Sequence, residues 1–307
     1  MRNAFADEIT KLAAADERVV LLSGDIGNKL FDDFKKVDNR RFFNCGVAEP
    51  NMMGVAAGMA MSGLRPVVYT ITPFTTTRCF EQIRVDVCYH EAPVIIVGTG
   101  SGLSYAELGP THHSLEDLAI LRTLPGLRVL APCDSTELRL ALRAALRQDA
   151  PVYIRIGKKG EPAIHRDAPE FEIGRAIVLR EGTDVALLCA GTICAEALAA
   201  ADLLAVDGIA AEVVSFHTVK PLDEQYLERA HSRFGLIATV EEHGRVGGFG
   251  SAVAEWRATR KTSVRQLMFG TADEFHHEVG SREYLRGRNG LTAPAIAETI
   301  TKALRTG

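Results

Sequence analysis

Short apolar runs alternate along this chain with longer stretches of helical period. VVLLSG (19–24), RPVVYTIT (65–72), APVIIVGTG (92–100), LRVLAP and PVYIRIG carry little polar alternation. That pattern suits strands covered on both faces. Between them, residues 3–15, 49–61, 74–89 and the stretch STELRLALRAALR repeat apolar positions at helical spacing. Strand–helix alternation of this kind predicts a parallel sheet flanked by helices. GKKGEPAIHRDAPEFEIG (157–174) interrupts the alternation with charge, Pro and Gly and reads as a linker. A second set follows: VALLCAG, AAEVVSF, FGLIATVEE and SVRQLMF, with helices predicted over 193–205, from about Asp223, over 249–259 and from about Pro294. The expected fold class is therefore α/β, in two α/β domains with mostly parallel central sheets. They span residues 1–160 and 173–307, joined by a linker over 161–172. A length of 307 residues accords with two domains.

Composition narrows the field. Apolar residues make up 47% of the chain, enough for large cores, and 35 basic against 39 acidic residues give a net charge of -4 without long runs of either sign. Non-specific nucleic-acid or anionic-membrane binding is not suggested, although a small local basic pocket is compatible. MRNAFADEITKLAAADERVV reads as an amphipathic helix and a strand rather than a secretory signal, and no apolar run approaches the roughly 20 residues that span a bilayer. The six cysteines (Cys45, Cys79, Cys88, Cys133, Cys189, Cys194) lack CxxC spacing and several sit in apolar surroundings. Reduced core cysteines and a cytoplasmic setting are expected.

Two stretches carry candidate chemistry. In FFNCGVAEPNMMGVAAGMA (42–60), Glu49 precedes Pro50, a residue suited to the first turn of a helix. Glu49 is then either a helix-start carboxylate favoured by the exposed amides there, or a working group at a strand-to-helix junction, where parallel sheets place ligands. The small residues Gly54, Ala56, Ala57, Gly58 and Ala60 permit close approach of another helix or subunit, and core packing alone also explains them. GTGSGLSYAELGPTHHSLEDLA (98–119) is a glycine-rich loop after a strand, with Thr111, His112, His113 and Glu116 near a helix start. It is either a site loop or a simple connection. Adjacent histidines lack the i, i+4 spacing of two metal ligands on one helix face.

Other motifs are weaker. GDIGNKLF has no Walker arrangement. GRVGGFG (244–250) offers amides at a helix start but lacks dinucleotide spacing and follows the acidic Glu241 and Glu242; a tight turn accounts for it. Arg155, at the end of PVYIRIG and followed by Lys158 and Lys159, is either an anion ligand or a surface charge. Phe74 is a core aromatic by position. His276, His277 and Glu278 in DEFHHEVG read as an exposed loop rather than a zinc site.

As a set, these segments resemble the C-terminal half of transketolase and of 1-deoxyxylulose-5-phosphate synthase, both thiamine-diphosphate enzymes. The likeness covers almost the whole chain. It rests on GVAEPNMMGVAAGMA, PFTTTRCFEQIRVDV, GPTHHSLEDLAILRTLPGLRVLAP, VYIRIG, VVSFHTVKPLD and EEHGRVGGFGSAVAE together. The resemblance implies a pyrimidine-binding domain followed by a transketolase C-terminal domain. It implies that Glu49 contacts the ring nitrogen of the cofactor's aminopyrimidine, that Phe74 stacks on that ring with Arg78 one turn beyond, and that Asp25 lies near the cofactor. It further implies a substrate-facing, catalytic His112 and a phosphate-holding Arg155.

Two departures qualify the likeness. Where transketolases carry an aspartate four residues before this histidine, the chain has Leu108, with Glu107 as its neighbour. A lost hydrogen-bonding group changes discrimination among substrates bearing or lacking a hydroxyl. The family's GDG motif, which binds diphosphate and a divalent metal, has no counterpart, and GDIGN does not supply one. The resemblance thus implies one chain of a split transketolase that transfers a two-carbon ketol group, with thiamine diphosphate as cofactor. Mg²⁺ and the diphosphate would be held mainly by a separate N-terminal-type subunit, in an α2β2 assembly. No metal ligand is expected on this chain. The alternatives are the β subunit of a 2-oxo acid dehydrogenase or related decarboxylating enzyme, and a non-catalytic scaffolding module.

Overall fold

Among the described residues, twelve strands arrange in two sheets: β1 (Val19–Ser23), β2 (Phe42–Asn44), β3 (Arg65–Ile71), β4 (Ile95–Thr99), β5 (Arg128–Leu130), β6 (Val152–Ile156), β7 (Ile177–Arg180), β8 (Val185–Ala190), β9 (Ala211–Ser215), β10 (Thr218–Lys220), β11 (Leu236–Gly244) and β12 (Arg265–Thr271). The structure is a computed structural model that describes residues 1–27 and 29–306; Asn28, in the GDIGN stretch, and Gly307, the last residue of the expected second domain, lie outside the described residues.

The first sheet has the order β10-β5-β6-β4-β3-β1-β2, the second β12-β11-β8-β9-β7. Every neighbour pair is parallel except β10–β5 and β7–β9. β1, β4, β6, β8 and β9 are buried along their whole length, as their largely apolar runs favour, with Arg155 on β6 and Glu212 on β9 as buried charged exceptions. Three short edge strands, β2, β7 and β10, were not expected. β10 is the consequential one: it comes from beyond the linker yet pairs with β5 of the first sheet, with Thr218 opposite Leu130. Among the described residues, no helix is long and apolar enough to cross a membrane.

Helix Glu49–Met61 forms as its spacing predicts. Glu49, Met52, Met53, Ala56, Ala57 and Ala60 are buried at steps of three and four, while Asn51, Val55 and Met61 face outward. The helix expected over 74–89 is broken into α, 3₁₀ and π turns across residues 72–89. The hydroxyls of Thr75 and Thr76 donate to the Thr72 carbonyl, and that of Thr77 to the Pro73 carbonyl. Threonine side chains that compete for backbone acceptors disfavour a regular helix.

A buried polar hub joins the two domains. Arg155 on β6 donates through Nε to Asp117 Oδ2 (2.8 Å) and through Nη2 to the carbonyls of Ser114 (2.8 Å) and Glu242 (2.9 Å). The Tyr153 hydroxyl donates to the same Asp117 oxygen at 2.6 Å. Glu242, at the end of β11, accepts from Arg282 Nε (3.0 Å), Arg286 Nε (2.5 Å) and the Leu103 amide (2.8 Å). Gly102 has φ +60°, and a Cβ there would stand 2.5 Å from Glu242 Oε1, so only glycine fits. The second domain thereby grips the 101–114 loop of the first.

Removing one member of a buried, hydrogen-bonded ion pair typically costs about 3–5 kcal/mol. Asp117→Ala leaves Arg155 uncompensated, and chemical denaturation should show a loss of that order; a change within about 0.5 kcal/mol, the usual range for a surface substitution, would remove the hub from the account.

The hub also sets an acid limit. Burial raises the Glu242 carboxyl, but Arg282 and Arg286 outweigh it and hold the group at about 2, against an ordinary 4.5. A depressed carboxyl contributes stability that is complete above pH 4.5 and is lost as pH falls toward 2. Burial drives the His243 imidazole from 6.5 down to about 4, so its contribution is likewise complete above 6.5 and is lost as pH falls through about 4. Glu242→Gln should be less stable at neutral pH and should flatten the acid limb between pH 4.5 and 2. Superimposable acid unfolding curves for the two proteins would contradict the assignment.

Candidate active site

The chain leaves β2, turns at Gly46 (φ +67°), whose amide donates to Asn44 Oδ1 (3.0 Å), and enters the helix at Glu49. Ala48 occupies the capping position and Pro50 the first turn; no side-chain cap bond is made. The Glu49 carboxylate instead turns inward. It is 1% exposed, and Arg78 Nη1 donates to its Oε2 at 2.8 Å. The helix start favours the charge, but the residue's partner is Arg78, so capping does not explain its position.

Phe74 and Arg78 come from the irregular segment after β3. The Arg78 guanidinium lies 4.1 Å from the centroid of the Phe74 ring, a cation–π contact. His112 meets the same ring edge-on, with centroids 5.3 Å apart, and lies 5.9 Å from the Tyr105 ring. The Thr111 hydroxyl is 2.9 Å from His112 Nδ1. Glu49, Arg78, Phe74 and His112 thus form one continuous series of contacts. Tyr105 extends it to Lys158, whose ammonium sits 4.2 Å from the Tyr105 centroid and pairs with Glu107.

The remaining expected residues lie elsewhere. Asp25 is exposed, at φ 54°, and accepts from Asn44 Nδ2 (3.0 Å); its hydrogen-bonding partner is thus Asn44 rather than a member of the Glu49 cluster. Arg155, expected to hold a phosphate, is 3% exposed, and its Nε and Nη2 donate to Asp117 and to two carbonyls of the interdomain hub. A buried guanidinium already matched with a carboxylate is poorly placed to take a second anion. Glu107 turns to Lys158 rather than toward His112, and Leu108 is 48% exposed. The glycine turn 244–250 is also occupied from within: Glu241 accepts the amides of Phe249 (2.7 Å) and Gly250 (2.8 Å), filling the helix start with the chain's own carboxylate. Sequence reasoning missed Tyr105 and Asp117. Tyr105 carries no motif, and Asp117 acts through partners 36 and 38 residues away.

This cluster fits the aminopyrimidine end of thiamine diphosphate. A buried carboxylate supplies an acceptor for a ring nitrogen, and the half-buried Phe74 supplies an aromatic surface for stacking. Arg78 occupies one face of Phe74, so a stacked ring would use the other face or displace the guanidinium.

Known proteins resemble this chain across both domains. Residues 1–161 match the family described as transketolase, pyrimidine binding domain, and residues 174–296 match transketolase, C-terminal domain. The chain is 36% identical over 306 residues to an apulose-4-phosphate transketolase subunit of Phocaeicola vulgatus, covering 99% of this chain and 97% of that protein. It is 39% identical over 297 residues to the 6-deoxy-6-sulfo-D-fructose transketolase subunit SqwH of Clostridium sp. (strain MSTE9), covering 96% and 92%. A structure described as a split gene transketolase, inactive beta4 tetramer, superimposes with a TM-score of 0.89 at 37% identity, covering 99% of this chain and 97% of that one. The chain belongs to the transketolase family. Its activity class is thiamine-diphosphate-dependent two-carbon transfer, exercised as one subunit of a complex, and thiamine diphosphate with Mg²⁺ is the cofactor pair that membership implies.

Hydrogen bonds to charged groups contribute about 1.5–3 kcal/mol. Arg78→Ala removes the donor that orients the Glu49 carboxylate, and titration calorimetry on the assembled enzyme should show thiamine-diphosphate affinity falling about tenfold or more. An unchanged dissociation constant would separate Arg78 from the cofactor site.

Proposed function

We propose that this chain supplies the pyrimidine-activating half of a split transketolase acting on ketoses with an anionic tail. The carrying observation is the buried Glu49 carboxylate held by Arg78 beside Phe74 and His112. A separate diphosphate- and metal-binding subunit completes the site, in an α2β2 assembly. Support for a second chain comes from relatives that are themselves named as subunits and are matched over nearly their full length, and from a similar structure containing only β chains that is called inactive.

Bound thiamine diphosphate supplies the electron sink for carbon–carbon cleavage and transfer. The chain's own residues position and proton-manage the reaction. Glu49 accepts a hydrogen bond from the pyrimidine ring nitrogen, with Arg78 fixing the carboxylate. Phe74 offers the stacking face. With the Thr111 hydroxyl donating to Nδ1, His112 carries its proton on Nε2, from which it donates to a substrate oxygen and stabilises charge developing there. Asp25 is assigned to the cofactor's approach, in the loop that Asn44 ties to the Glu49 turn.

For the substrate tail, we assign the edge formed by Lys158 and Tyr105. Lys158 combines a cation with a position one aromatic ring from His112, while Arg155 supports the loop from beneath. The two relatives named above are described as acting on phosphorylated and sulfonated sugars, both carrying a tetrahedral anion. Leu108 and Glu107 at the loop's outer turn are assigned to substrate selection. A reducing cytoplasmic setting accords with six cysteines that are all free thiols.

Co-expression with a diphosphate-binding subunit, native mass measurement and a donor–acceptor screen with thiamine diphosphate and Mg²⁺ test this reading. Ketol transfer should require both chains, and the active species should have two copies of each. Glu49→Gln should lower kcat by at least about 100-fold, a loss of roughly 3 kcal/mol of transition-state stabilisation, with little change in melting temperature. Full turnover by that variant, or activity from this chain alone, would sink the proposal.

A further inference from the structure

Outside the active site, three donors of different chemistry meet at the junction of the first domain, the linker and the second domain. Cys133 precedes helix Ser135–Leu146, Glu137 lies in its first turn, and His165 comes from the linker. Cys133 and Glu137 are 1% and 0% exposed. His165 Nε2 lies 3.0 Å from Glu137 Oε1 and 3.8 Å from Cys133 Sγ, and all three ligand atoms fall within 4.8 Å of one another.

We propose that Cys133, Glu137 and His165 form a structural site for a divalent cation of the zinc class. Zinc bonds of about 2.0–2.3 Å in tetrahedral geometry put neighbouring ligand atoms roughly 3.3–3.8 Å apart. The observed 3.0 and 3.8 Å require only small movements to reach that range. A mixed thiolate, imidazole and carboxylate set selects zinc over magnesium or calcium, which prefer oxygen.

The surroundings already orient these ligands. Glu137 Oε2 accepts from the Cys133 amide (2.7 Å) and from the Ser215 hydroxyl (3.1 Å), which leaves Oε1 turned to His165 for one-oxygen ligation. Asp134 Oδ2 accepts the amides of Ile164 and His165, both at 2.9 Å, and so pins the linker where the imidazole reaches the cluster. Outer hydrogen bonds of this kind fix ligand direction in metal sites. The His165–Glu137 hydrogen bond is the metal-free form: the cation takes the place of the shared proton, and the Cys133 thiol loses its own on binding. The metal would then tie the start of helix Ser135–Leu146 to the linker, without entering the reaction.

The test uses the tag-free, full-length chain. It is challenged with Zn²⁺, freed of excess metal and assayed for bound zinc by elemental mass spectrometry, with Co²⁺ as a spectroscopic probe. We expect about one zinc retained per chain, a higher melting temperature, and a thiolate-to-cobalt charge-transfer absorption. His165→Ala and Cys133→Ser should each weaken binding at least about tenfold and reduce that absorption, whereas Cys45→Ser, which alters the one cysteine that is not buried, should change neither. Should Cys133→Ser fail to fold, His165→Gln in the half-buried linker decides the matter alone. No zinc retained by the unaltered chain, or retention that His165→Gln leaves unchanged, overturns the site.

Discussion

The buried carboxylate of Glu242 is the contact on which the arrangement turns. It neutralises Arg282 and Arg286 within its own domain and accepts the Leu103 amide of the other. Its backbone carbonyl receives Arg155. One residue therefore couples the end of β11, the end of β6 and the start of the loop that carries His112. Burying so much charge is costly unless every member has its partner. The arrangement consequently behaves as a unit, and the loop's position is a property of both domains rather than of its own sequence.

The active-site cluster has a different character. Glu49 is buried, but Arg78 reaches it from a side chain that is 42% exposed, and His112 and Phe74 are only half-buried. A rigid, deeply packed carboxylate is faced by groups that retain access to solvent. That division suits a site in which one face is fixed by this chain and the other is supplied by something that docks. The irregular 72–89 segment contributes by the same logic. Phe74 and Arg78, four residues apart within it, touch directly and so address the same space.

Much of this was legible in the sequence, and what was not has definite physical reasons. The helix after Glu49 and the central strands are read easily, because burial on one face or on both dictates their periodicity. The short edge strands β2, β7 and β10 have too few residues to show a period. The breaks in 72–89 depend on side chain-to-backbone bonds that hydrophobic patterning does not register. Glu49, Phe74, Arg78 and His112 were legible only as a family pattern, since each has an ordinary structural reading by itself. The hub around Arg155 was not legible, because its partners Asp117 and Glu242 lie 38 and 87 residues distant and no local motif reveals their proximity.

The strand β10 bears on how such a chain can be divided. Its three residues lie past the linker but complete the first sheet along the edge of β5, and the amide of Ala131 donates to the His217 carbonyl beside it. A gene cut at the linker would strip that edge bare and leave an unpaired row of backbone groups open to aggregation. The linker looks like a seam in the sequence but is not one in the molecule. Division of a chain is physically cheap only where no strand is borrowed across the break, and here one is borrowed across the linker.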